Sequence, residues 1–86
     1  MNKKEILITS ATRTAVGSLS GSLKNISSDE LGSAVISKAI NNSKIKNTDV
    51  DEIIMGQVLT ACAGQNPARQ AAMKSGIPKE KPAYIV

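Results

Sequence analysis

For chemistry the sequence offers one thiol, two guanidinium groups, a few carboxylates and no histidine. Without an imidazole it lacks the commonest general base and the commonest metal ligand. Neither a Ser-His nor a Cys-His nucleophile pair can form within the chain. Cys62 lies in the small-residue run Thr60-Ala61-Cys62-Ala63-Gly64. A reactive thiolate needs a cation, a base or a helix N-terminus to lower its pKa. The nearby Asn66-Pro67 helix start would help only a little, so Cys62 reads as a small packing residue. Gly17-Ser18-Leu19-Ser20-Gly21-Ser22 lacks the Lys that a phosphate loop places directly after its last glycine, and it reads as a plain loop. Asp49, Asp51 and Glu52 cluster without the glycine spacing of a calcium loop, which points to a solvated turn. No catalytic residue, metal site or bound cofactor is therefore expected. Arg13 and Arg69 are the only arginines. Each either makes a specific buried or interface contact, for which a guanidinium is well suited, or faces solvent.

The formal net charge is +4, but the nine lysines are scattered and no aromatic side chains lie between them to stack on bases. This is the pattern of a solvated basic surface, and no nucleic-acid partner is expected. The apolar run Ile6 to Ile8 is too short for a signal sequence or a membrane span, so no membrane association is expected. A single Cys cannot form an internal disulfide, which fits a reducing cytoplasm. The 86 residues suffice for one small domain. With no Phe, no Trp and one Tyr the core is thin, better suited to packing against more protein.

The elements that would carry these residues alternate. Glu5 to Ser10 is a nearly continuous apolar run and reads as a strand buried on both faces. Residues 11–26, rich in Gly, Ser and Thr, form a long surface loop. Ser27 and Glu30 have capping-box spacing and open a helix to about Asn41, with Asn42 or Ser43 as its stop and with Leu31, Val35 and Ala39 on one stripe widened by Ala34 and Ile36. Glu52 to Leu59 is a second strand. Asn66-Pro67 starts a second helix, whose small face of Ala68, Ala71, Ala72 and Ser75 permits close approach of another backbone, and Gly76 and Pro78 end it. Pro82 to Val86 is a third strand. The order β-α-β-α-β predicts an α/β fold with a mainly parallel sheet and helices packed on it.

Three runs carry a family resemblance: Ile6-Leu7-Ile8-Thr9-Ser10-Ala11-Thr12-Arg13-Thr14-Ala15-Val16-Gly17, Asp51-Glu52-Ile53-Ile54-Met55-Gly56-Gln57-Val58-Leu59, and Gly64-Gln65-Asn66-Pro67-Ala68-Arg69-Gln70-Ala71-Ala72. Together they strongly resemble the N-terminus of thiolases, most closely the biosynthetic acetyl-CoA acetyltransferase type. One departure is Ala15, where the family usually has Pro. The resemblance covers the whole chain and implies that residues 1–86 are an incomplete part of a thiolase N-terminal domain. It also implies Claisen chemistry on coenzyme A thioesters: condensation of two acetyl-CoA to acetoacetyl-CoA and coenzyme A, or the reverse. Acetyl-CoA and coenzyme A would be substrates of the parent enzyme, a homo-oligomeric dimer or tetramer. By the same resemblance, the nucleophilic cysteine belongs to a Cys-Gly-Ser-Gly motif just beyond this stretch. The catalytic histidine and second cysteine lie further on, and Cys62 matches none of these positions. The segment Gly64 to Ala72 would lie near the dimer contact and the active site, making Asn66 and Arg69 structural or interface candidates there, with Arg13 a third candidate by residue type alone. A non-catalytic module that pairs with a separately encoded thiolase part is the alternative.

Overall fold

The computed structural model describes residues 4–86. Helix α1 spans Ser28–Ser43, a 3-10 turn spans Asn47–Asp49, strand β1 spans Ile53–Met55, helix α2 spans Pro67–Lys74 and strand β2 spans Ala83–Ile85. β1 and β2 pair in parallel, with Ile53 opposite Ala83, Ile54 opposite Tyr84 and Met55 opposite Ile85. Two parallel strands need a crossover, and α2 supplies it. The α/β class and the parallel pairing are those the alternating pattern predicts.

Local chemistry sets the helix ends. The Ser27 hydroxyl accepts the Glu30 amide at 3.4 Å and caps α1. α1 closes at Lys44, which is left-handed (φ 56) and donates its amide to the Asn41 carbonyl. The helix thus ends at Ser43, one of the two expected stop residues. α2 ends in a Schellman motif: the Ile77 amide bonds the Ala72 carbonyl at 3.1 Å and the Gly76 amide bonds the Met73 carbonyl at 3.2 Å. Gly76 has φ +81, and a Cβ there would lie 2.9 Å from the Asn47 amide nitrogen. That nitrogen donates to the Ser75 and Gly76 carbonyls at 3.2 and 3.1 Å, tying the 3-10 turn to the end of α2.

The two helices meet through small side chains. Ala68, Ala71, Ala72 and Ile77 are the buried apolar residues, and Gly32 of α1 is buried against them. A Cβ on Gly32 would lie 2.9 Å from the Met55 methyl and 3.2 Å from the Ala71 Cβ. One turn along, the Ser75 hydroxyl lies 2.8 Å from the Ala71 carbonyl and 3.3 Å from the Ser33 hydroxyl. At the other side of the contact Asp29, itself buried, pairs with the half-exposed Lys74. The buried residues of α1 are Asp29 and Gly32, while Leu31, Val35, Ala39 and Ile36 of the predicted stripe are half-buried, as is Ser33. Ala34 faces solvent. Hydropathy favoured the larger side chains, whereas close approach of two backbones selects small ones.

The first expected strand does not form. Residues 4–17 make no backbone–backbone hydrogen bond among the described residues, and Ile6 and Ile8 are 99% and 91% exposed. A buried strand needs a ladder partner and cover on both faces, and no described element supplies either here. The second strand is also shorter than the predicted 52–59. Ladder contact fades at the Gln57 amide, 3.4 Å from the Val86 carbonyl, and Val58 and Leu59 face solvent.

Two predictions follow from the helix contact. Gly32→Ile should destabilise the chain by about 1–3 kcal/mol through overpacking. Gly56→Ala, where a Cβ meets nothing within 4 Å, should be neutral or slightly stabilising, both read by urea unfolding. The second concerns pH. The hydrogen bond from Lys74, then that from Ser27, holds the Asp29 carboxyl below its usual range. The bond to Asp29 raises the Lys74 ammonium. Stability from the lowered acid is present above the ordinary carboxyl pKa and lost as pH falls through the lowered one. Stability from the raised base is present below the ordinary ammonium pKa and lost as pH rises through the raised one. The melting temperature should therefore be flat between about pH 5 and 9 and fall on both sides. Asp29→Asn should lower that plateau and flatten both limbs.

Candidate functional site

Two places concentrate polar groups. The first is the segment from Thr60 to Ala72, which leaves β1, turns and becomes α2. Asn66 adopts left-handed backbone (φ 42), a conformation that Asn tolerates better than most residues. Its side-chain oxygen accepts the Arg69 amide at 3.2 Å and caps α2, while its side-chain nitrogen donates to the Ala83 carbonyl of β2 at 3.0 Å. One residue thus fixes both the helix start and its distance from the sheet. Pro67 at the first helical position has no amide to satisfy, and it is buried. The half-buried Arg69 donates through Nη1 to the Lys81 carbonyl at 3.2 Å, a second tie from α2 to the approach of β2.

Gln70 is a residue that the sequence reading passed over. Its side-chain nitrogen donates to the Ala63 and Gln65 carbonyls at 3.1 and 2.8 Å, fastening the loop back onto α2. Gly64 permits this: its φ is +79, and a Cβ would lie 2.8 Å from that same nitrogen. The available signal was a Gln four residues after the Asn cap, facing back along the helix toward the loop. Cys62 stands at the outer edge of this loop with φ 59, and it is exposed. This corrects its reading as a small packing residue: the left-handed turn carries the thiol outward, where no described element covers it.

The second place is a cleft of about 400 Å³ between α1, the end of β1 and residues 12–14. Leu31, Val35 and Met55 make it apolar, and Thr12, Arg13 and Gln57 edge it. Thr12 donates to the Val35 carbonyl at 3.1 Å. Arg13 is exposed, and its one hydrogen bond among the described residues is local, to the Thr14 carbonyl at 3.3 Å. Gln57 donates to the Leu59 carbonyl at 3.0 Å, while its buried oxygen has no partner among the described residues. Neither place brings a nucleophile and a base together. Asp49, the first of the clustered carboxylates, accepts the Lys46 amide at 2.8 Å and so closes the 3-10 turn. The structure brings Asn66 and Arg69 together at one helix start and leaves Arg13 apart, across α1 in the cleft.

The load on Asn66 can be measured. Asn66→Ala removes the cap and the tie to Ala83 and should cost about 1–2 kcal/mol in urea unfolding. Asn66→Asp keeps the capping oxygen and should cost less than the Ala variant. Equal losses would mean that the cap contributes nothing.

Residues 6–86 match the family model for the thiolase N-terminal domain. Among curated proteins, the chain is 51% identical over 84 residues to an acetyl-CoA acetyltransferase of Rhizobium meliloti (strain 1021), covering 98% of this chain and 21% of that protein. It is 54% identical over 83 residues to that of Pseudomonas aeruginosa, covering 96% and 21%. It is 55% identical over 74 residues to that of Escherichia coli (strain K12), covering 86% and 19%. The chain thus spans about a fifth of the length of these relatives. Among solved structures, the Acat5 thiolase from Ascaris suum in complex with coenzyme A superimposes with a TM-score of 0.84 at 36% identity, over 86% of this chain and 19% of that one. A match over residues 6–86, nearly the whole chain, makes this chain a member of the thiolase family, within its N-terminal domain.

Proposed function

We propose that this chain is scaffold for an acetyl-CoA C-acetyltransferase, the enzyme that condenses two acetyl-CoA to acetoacetyl-CoA and coenzyme A or runs the reverse thiolysis. The relatives' activity is the supporting observation, at 51–55% identity over most of this chain. Acyl transfer through a thioester needs a thiolate, a base to form it and donors for the oxyanion. The chain has no histidine, and its one thiol is exposed on a loop with no base beside it. Its contribution is positional. Asn66, Arg69 and Gln70 fix the loop that leaves the carboxyl end of β1, the side of an α/β sheet where ligands gather. In the whole enzyme, Asn66, Arg69 and Arg13 serve as structural or interface residues of a cytoplasmic homo-oligomer, and the coenzyme A thioesters are substrates.

A second reading keeps the fold and drops the enzyme: a non-catalytic module that pairs with a separately encoded thiolase part. The exposed apolar side chains favour it, among them Ile6, Ile8, Val16, Leu19, Val58 and Leu59. Exposed apolar surface of this kind marks an interaction face. Recovery of a thiolase-like partner of separate origin on a tagged chain would support this reading, and its absence would remove it.

The 86-residue chain by itself should show no thiolysis of acetoacetyl-CoA above the blank, and Cys62→Ser should change nothing. Turnover that survives Cys62→Ser would contradict the scaffold reading. Turnover abolished by that substitution would instead make Cys62 a nucleophile.

A further inference from the structure

We draw no further inference here: the strongest candidate, the apolar cleft between α1, the end of β1 and residues 12–14, edged by Arg13 and Gln57, is an unpartnered face, and nothing in the structure shows what covers it.

Discussion

The structure depends on how closely α1 and α2 approach, and that distance is set by what their facing side chains lack. Gly32 meets Ala71 with no room for a Cβ, and Ser33 meets Ser75 hydroxyl to hydroxyl. Chain order puts β1 between the helices, and the Met55 side chain reaches Gly32 from the sheet, joining the layers at one point. The contact buries little area, because alanine and glycine have little to bury. Its strength lies in tight packing and in the polar ties at its rim: Asp29 to Lys74, Ser75 to Ser33, and Asn47 to the end of α2. Such a body is well defined and thinly supported. The chain exposes 6780 Å², against about 4,900 Å² for a compact chain of its mass. Its radius of gyration of 14.3 Å likewise exceeds the ~12 Å of a compact domain.

The sequence was most legible where structure is local. Ser27 before an acidic first turn located the start of α1, and Asn66-Pro67 located that of α2. Gly76 located the end of α2, because a left-handed turn there needs glycine. Alternation of strands and helices was enough to predict parallel pairing of β1 with β2. Legibility failed where the answer depends on what lies across the chain. Ile6 to Ile8 has the composition of a buried strand, but a strand is a relation between two segments, and none of the described ones pairs with it. The apolar pattern of α1 marks Leu31 and Val35, which are half-buried, but it missed Gly32, which is too small to register in it and makes the close contact with α2. Cys62 was assigned to the interior on residue type, and one left-handed turn put it outside.

The candidate site shows the same division. Asn66 was readable as a cap, but its second bond, to the Ala83 carbonyl, needs the sheet in place. Arg69 and Gln70 have no local motif beyond the run that resembles thiolases, and their partners, Lys81, Ala63 and Gln65, are defined only by the fold. These three side chains fasten the loop between β1 and α2 to the helix and to the approach of β2.

The α1–α2 contact is tested most directly by magnetic resonance of the 86-residue chain. It predicts a strong nuclear Overhauser effect between the Gly32 α-protons and the Ala71 methyl, with a second between the β-protons of Ser33 and Ser75, in a spectrum whose α2 resonances are dispersed. Dispersed α2 resonances without either cross-peak would contradict it, placing the helices apart.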